Sequence, residues 1–119
     1  MIPILHSLHS PDLLDLRNGA PVDPCHFSIL VQAFIGPSQG IGYEAFDFLV
    51  CTSSWIQMLV AEQRFLFGRA YLIVEAYDYN LIYGVIESLC QRTSGDNWGQ
   101  IAEKLSRFGK WEFDDYVES

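Results

Sequence analysis

An alternation of apolar residues in the first half of the chain constrains its fold more than any other feature. Apolar residues stand at every second position from 27 to 35, namely Phe27, Ile29, Val31, Ala33 and Ile35. This period of two predicts a β-strand with one wholly apolar face, because successive side chains of a strand point to opposite sides. The glycine- and proline-containing residues 36–40 predict a turn, after which residues 43–50 return as the antiparallel partner. The buried face of this second strand carries Phe46, Phe48 and Val50.

The segments on either side of this hairpin predict a further strand and a helix. Residues 4–9 predict a first strand that ends at a Ser-Pro-Asp turn, and residues 12–26, interrupted by glycine and proline, predict a loop. After the hairpin, apolar residues recur at helical spacing. Ser54 followed three residues later by Gln57 matches a capping box at the start of this helix, which Gly68 closes.

The second half continues with one strand and two helices. Residues 71–76 predict a short strand, and Asp78 can cap the next helix. The apolar stripe of that helix is Leu81, Ile82, Val85, Ile86, Leu89 and Cys90. The last helix carries Trp98, Ile101, Ala102, Leu105 and Phe108 on one face and ends at Gly109. The order β-β-β-α-β-α-α lacks regular βαβ alternation, so we expect a single α+β domain over residues 1–119, with a mainly antiparallel sheet and three helices.

Size and composition indicate one globular domain in a reducing compartment. Half of the 119 residues are apolar, which suffices for a core, and no linker or internal repeat divides the chain. Three cysteines without paired spacing are typical of free thiols rather than a disulfide framework. No apolar run approaches the roughly 20 residues of a membrane span, and the N-terminus lacks the features of a secretory signal. We therefore expect a cytoplasmic protein without a membrane partner.

The charge balance narrows the classes of partner. Fifteen acidic residues against seven basic ones give a formal net charge of −8. Such a surface repels phosphate backbones, so nucleic-acid binding is not expected. It can attract a basic protein and accelerate the encounter, although many acidic proteins carry such a charge for solubility alone.

Cys51 raises the question of covalent catalysis because it stands where a predicted strand meets a predicted helix. A nucleophilic cysteine needs a base that generates thiolate, and the candidates are His6, His9 and His26. No basic residue lies beside Cys51, and Gln57 stands where arginine would complete a phosphatase-type loop. The hydroxyl residues after Cys51 are those that a helix N-terminus prefers. The pattern favours a packed cysteine beside a capped helix, with a small enzyme using Cys51 as the alternative.

No other spacing predicts a catalytic, metal or cofactor site. His6 and His9 would face opposite sides of a regular strand. Cys25-His26 is a single adjacent pair, unlike the repeated ligand spacing of a zinc site. The glycine-rich residues 36–42 join two strands, whereas a phosphate loop leads from a strand into a helix. Since the acidic C-terminus also lacks the spacing of a calcium loop, we predict no catalytic residues, no metal and no cofactor.

Short segments distributed over nearly the whole chain resemble those of a known protein family. They are Ile35-Gly36-Pro37, residues 42–52 with Trp55, Phe67-Gly68-Arg69, residues 72–79, Gly95-Asp96-Asn97-Trp98 and residues 109–113. In order and spacing they resemble the immunity protein 8 family of bacterial polymorphic toxin and contact-dependent inhibition systems. The resemblance implies a small α+β cytosolic protein that binds and neutralises a cognate toxin domain without catalysis. A non-toxin adaptor or assembly module is the other non-enzymatic alternative, and self-association is left open.

The C-terminal segment is the predicted binding surface. If residues 111–116 are extended, the side carrying Trp111 and Phe113 can pack on the domain, where it would add a short C-terminal strand. Asp115 would lie on that same side, and the opposite side, with Glu112, Asp114 and Tyr116, would offer two carboxylates and a phenol to a basic toxin such as a nuclease. The predicted toxin-binding residues are Glu112, Asp114, Asp115 and Tyr116. The alternative is an edge strand whose acidic residues only keep that edge soluble.

Overall fold

The secondary structure follows the predicted order. A computed structural model describes residues 1–114, which form five strands and three helices. The elements are β1 (Pro3–His9), β2 (Ser28–Pro37), β3 (Glu44–Thr52), α1 (Ser53–Gln63), β4 (Tyr71–Val74), α2 (Tyr79–Arg92), α3 (Trp98–Leu105) and β5 (Lys110–Trp111). The predicted α+β class, the element order and the short C-terminal strand are thereby confirmed, although β4 ends at Val74 instead of residue 76.

The apolar hairpin forms the centre of the sheet. β2 pairs with β3 in antiparallel register, so that Val31 lies opposite Phe48 and Ala33 lies opposite Phe46. β1 adds to the other edge of β2, which gives the order β1-β2-β3-β4. β4 runs parallel to β3, and β5 pairs antiparallel with β3 just before the stretch that β4 occupies. The sheet is therefore mainly antiparallel, with one parallel pair that α1 connects.

Two helices cover the apolar face of the hairpin. Val31, Ala33, Ile35 and Phe46 on that face are completely buried. From α2 and α3 the core cluster takes Ile82, Ile86, Leu89, Cys90, Ile101, Ala102 and Leu105. These positions belong to the predicted apolar stripes, because a helix buries the face on which its apolar residues recur. The predicted cap of α2 is also confirmed, since the Asp78 carboxylate accepts a hydrogen bond from the backbone N–H of Leu81 at 3.2 Å.

The first helix differs from the other two because it buries none of its residues. It packs against β3 but contributes no side chain to the core cluster. Cys51 is completely buried, and alternation along β3 directs it away from the face that carries Val50. Cys51 is therefore on the sheet face opposite α2 and α3. On α1 itself, Met58 and Val60 are exposed.

The start of α1 is not where the hydroxyl pattern predicted it. Thr52 is the N-cap, and its hydroxyl accepts a hydrogen bond from the backbone N–H of Trp55 at 3.4 Å. The predicted capping box of Ser54 and Gln57 is therefore wrong. The Ser54 hydroxyl instead donates to the backbone carbonyl of Cys25 at 3.0 Å, which ties the helix start to the preceding loop.

Two predicted helix ends are also wrong. α1 ends before Arg64, which adopts the left-handed conformation at φ 77°, and not at Gly68. α3 ends at Leu105 rather than at Gly109. Gly109 is buried, and a Cβ atom there would lie 2.6 Å from the ring of Phe48. Glycine serves at this position for its close approach to a core side chain, not for ending a helix.

Candidate functional site

The C-terminal segment is attached to the sheet through β5. Trp111 pairs with Phe46 of β3, and Lys110 pairs with Asp47. The Trp111 ring stacks on the Phe46 ring, with centroids 6.3 Å apart and an interplanar angle of 9°. The predicted packing of Trp111 on the domain is therefore confirmed, and the residues that follow start from a fixed point at the sheet edge.

Beyond Trp111 the chain turns instead of continuing as a strand. The backbone N–H of Asp114 donates to the Trp111 carbonyl at 2.9 Å, which closes the turn. The Glu112 N–H donates to the Ala45 carbonyl at 3.0 Å, and the Glu112 carboxylate accepts from the Ala45 N–H at 2.9 Å. The predicted extended course is therefore wrong over residues 112–114, because the hydrogen bond from Asp114 back to Trp111 and the bonds with Ala45 of β3 satisfy the backbone in another way.

The predicted binding residues fall into two groups. Glu112 is exposed, whereas the side chain of Asp114 is only 17% exposed because it pairs with Arg69. Asp115 and Tyr116 lie outside the described residues. The binding role of all four stays a prediction.

Arg69 joins this turn to the loop between α1 and β4. Its guanidinium donates to the Asp114 carboxylate and, at 2.8 Å, to the carbonyl of Ser106. An ion pair at the surface contributes little to global stability. The two contacts nevertheless connect the loop, through Arg69, to the turn at Asp114 and to the end of α3 at Ser106.

The loop of residues 64–70 presents two phenylalanines to solvent. Phe65 is 62% exposed and Phe67 is 86% exposed, and their rings meet edge to face with centroids 6.0 Å apart. Arg64 and Ala70, at the two ends of the loop, have φ angles of 77° and 65°, a region that non-glycine residues seldom occupy. We refer to Phe65, Phe67, Arg69, Glu112 and Asp114 together as the edge surface.

Sequence reasoning did not identify the two exposed phenylalanines. Placing the helix end at Gly68 left both of them inside a helix. The available signal was the run Phe65-Leu66-Phe67, three consecutive large apolar residues that no single helical stripe can accommodate. No local sequence pattern predicts the contact between this loop and the C-terminal turn, since the two segments are distant in sequence.

Beside the edge surface the sheet carries a further carboxyl group. Asp47 lies between Gln32 of β2 and Lys110 of β5. The pKa of Asp47 lies above its ordinary value, chiefly because burial raises it. The charge of Glu112 also raises this pKa, whereas a hydrogen bond with Gln32 and the charge of Lys110 lower it. The carboxyl groups of Asp47 and Glu112 and the ammonium group of Lys110 therefore stand together on this side of β3, with Glu112 and Lys110 exposed.

Cys51 does not present an accessible nucleophile. Its side chain is completely buried, and burial raises the pKa of its thiol to about 11. His26, one of the candidate bases, places its Nδ1 atom 2.9 Å from the Ser54 hydroxyl instead. A thiol that is protonated at neutral pH and shielded from solvent supports the prediction of a packed cysteine.

The other two candidate bases belong to a row of aromatic rings on the sheet. β1 has a register shift at its middle, and this irregularity makes the prediction that His6 and His9 face opposite sides wrong. Ring contacts run from His6 to Tyr43, from Tyr43 to Phe34 and from Phe34 to His9, with centroid distances of 5.4, 5.1 and 5.0 Å. Across residues 1–114, the side chains form no group of three or more that could hold a metal ion.

Comparison with known proteins gives one match. A family model described as Immunity protein 8 matches residues 4–116, nearly the whole chain, and this range includes every residue of the edge surface. Neither the curated proteins nor the solved structures contain a match to the chain. In the part of the chain that the structure describes, no helix is long and apolar enough to cross a membrane.

Proposed function

The chain belongs to the immunity protein 8 family, and on this premise we propose that it neutralises one cognate bacterial toxin domain by binding it, without catalysis of its own. The toxin would belong to a polymorphic toxin or contact-dependent inhibition system, and the complex would form in the bacterial cytoplasm. The absence of an accessible thiol at Cys51 supports binding over chemistry at that residue. We expect the toxin to be encoded by the adjacent open reading frame.

The observation that supports this proposal beside the family match is the placement of three carboxyl groups at one edge of the sheet. Glu112 stands beside the half-buried Asp47, and Asp114 is paired with Arg69 of the loop of residues 64–70. Protein interfaces combine aromatic anchors with a polar rim, and acidic groups on one partner complement basic groups on the other. The toxin that fits this surface is basic, as a nuclease must be where it attracts polyphosphate.

We propose that Glu112, Asp114, Asp115 and Tyr116 form the acidic part of the interface. Replacing Asp114, Asp115 and Tyr116 together by alanine should weaken toxin binding at least about tenfold, equivalent to about 1.4 kcal/mol. Isothermal titration calorimetry with the inactivated toxin domain measures this change. The matched control is Glu87→Ala with Asp96→Ala, which also removes two carboxylates, but from exposed positions outside the edge surface. A folded triple variant that binds within about twofold of the parent would place the interface elsewhere.

The net charge of −8 predicts that association with the toxin is electrostatically steered. Raising the ionic strength from about 0.01 M to about 0.15 M shortens the Debye length from about 30 Å to about 8 Å. We expect the association rate constant to fall at least about tenfold, while the dissociation rate constant changes by less than about twofold. Stopped-flow fluorescence measures both. An association rate that is independent of salt would reject steering while leaving binding itself intact.

A further inference from the structure

We propose that a groove between α1 and residues 12–29 receives a basic side chain, lysine or arginine, of the bound toxin. The groove has a volume of about 550 Å³, and its lining includes Asp12, Asp23, Trp55 and Met58. We refer to it as the α1 groove. This inference rests on the proposed function, because it names a feature of the toxin that the chain would recognise.

The position of Trp55 is the first observation that supports this inference. The chain has three tryptophans, and both Trp98 and Trp111 pack against the core cluster. Among the described residues, Trp55 does not take part in that packing. It is half-buried and lines the α1 groove together with Met58, which lies on the same face of α1 three residues further along. An indole ring is the best aromatic partner for a cation, and tryptophan is enriched among the residues that dominate interfaces.

The charge of the groove is the second observation. Asp12 and Asp23 line it, whereas none of the lysine and arginine side chains within residues 1–114 does, so the groove carries two negative charges when His26 is neutral. In this part of the chain neither carboxylate forms an ion pair with a basic side chain, in contrast to Asp114. A side chain that enters the groove therefore meets two uncompensated carboxylates and an indole ring. This combination complements a cation.

Hydrogen bonds hold both carboxylates in place before any partner arrives. One oxygen of Asp12 accepts from the backbone N–H of Leu30 at 2.8 Å, and one oxygen of Asp23 accepts from the backbone N–H of Cys25 at 2.9 Å. Each carboxylate keeps its second oxygen for a partner. The two walls of the groove are joined where the Ser54 hydroxyl donates to the Cys25 carbonyl at 3.0 Å. Groups that are already ordered lose less conformational entropy on binding.

The α1 groove is separate from the predicted C-terminal contact. α1 follows the last residue of β3, whereas β5 pairs with Phe46 and Asp47 near the start of that strand. Coulomb attraction is stronger in a recess that excludes water than at an open edge. The groove therefore offers a second acidic contact, and substitutions there leave the C-terminal residues unchanged.

The test removes the two charges of the groove while keeping its hydrogen bonds. In the double variant Asp12→Asn with Asp23→Asn, each amide oxygen can still accept from the backbone. We expect this variant to bind the inactivated adjacent-gene toxin domain at least about tenfold more weakly, mainly through faster dissociation. Surface plasmon resonance measures both rate constants.

The matched control is the double variant Glu87→Gln with Glu103→Gln. Both glutamates are exposed, on α2 and α3, and neither lines the α1 groove. The control also removes two negative charges, so that both double variants change the net charge of the chain equally. Its dissociation rate constant should stay within about twofold of that of the parent.

Trp55→Ala tests the aromatic part of the groove. We expect it to weaken toxin binding at least about 30-fold, as the loss of an interface tryptophan can. If Trp55 and the two aspartates hold one basic side chain, the loss in the combined triple variant should be smaller than the product of the separate losses. Losses that multiply fully would overturn a shared basic side chain. If Trp55→Ala does not fold, the asparagine variant alone decides.

The outcomes separate this inference from the proposed function. If the parent binds the toxin and the asparagine variant dissociates as slowly as the parent, the inference is overturned while the proposed function stands. An equal loss in the glutamine control would attribute the effect to net charge and would also overturn the inference. If the parent itself does not bind the toxin, the proposed function fails, and the inference fails with it.

Discussion

Replacing Phe46 by alanine should lower the free energy of unfolding by about 3–5 kcal/mol, the range measured when a buried phenylalanine is truncated. Phe46 is completely buried in β3. Trp111 stacks on one face of its ring, and Trp98 of α3 meets it edge-on with centroids 6.4 Å apart. The ring therefore joins β3 to α3 and β5, which lie far from β3 in sequence, and a cavity at this point would loosen all three elements.

Urea denaturation followed by tryptophan fluorescence measures this loss directly. The control is Phe67→Ala, the same substitution at a position that is 86% exposed, where the change should stay within about 0.5 kcal/mol. If Phe46→Ala lowers the free energy of unfolding by less than about 1.5 kcal/mol, the packing of Trp98 and Trp111 does not depend on this ring and the prediction is wrong.

Gly36→Ala should destabilise the protein by about 3 kcal/mol, the upper part of the range for overpacked sites. Gly36 is buried in β2, and a Cβ atom there would lie 2.2 Å from the carbonyl oxygen of Gly42. The obstacle is backbone, so the clash can be relieved only by moving the connection between β2 and β3. This movement would disturb the hairpin on which the core is built.

The matched control for this substitution is a second glycine-to-alanine change, which we expect to raise stability instead of lowering it. Gly84 lies exposed in α2, and a Cβ atom there would meet nothing within 4 Å. Gly84→Ala should therefore stabilise the protein by up to about 1 kcal/mol, because alanine is the better helix former. Chemical denaturation of both variants measures the two changes in the free energy of unfolding. A Gly36→Ala variant as stable as the parent would contradict the close approach of the two backbones.

Long periodic segments were predicted correctly because the same spacing of apolar residues recurs many times along each of them. The hairpin of β2 and β3 repeats its apolar position along both strands, and α2 and α3 repeat theirs over several turns. Element boundaries were less accurate, as the junction between β3 and α1 shows. Thr52 and Ser54 are both residue types that favour a helix N-cap. The backbone N–H of Thr52 donates to the carbonyl of Phe27 at 3.0 Å, and this contact with a distant residue extends the strand and makes Thr52 the cap.

The candidate site was predicted only in part. The acidic composition of the C-terminal segment and the packing of Trp111 could be inferred from alternation and charge. The turn at residues 112–114 could not, because it depends on hydrogen bonds between Glu112 and Ala45 in a strand far away in sequence. The contact of Arg69 with Asp114 was equally beyond reach, because these two residues are distant in sequence.

The sequence by itself determined the class of fold, the family and the acidic character of the chain, since these properties follow from local periodicity, from the order of many segments and from the count of charges. The tertiary structure alone decided which residues share a surface. Cys51 is shielded from solvent by burial, whereas Phe65 and Phe67 are exposed on a loop that begins and ends at residues with positive φ. Burial and proximity depend on contacts between distant parts of the chain, and no local pattern of residues can specify them.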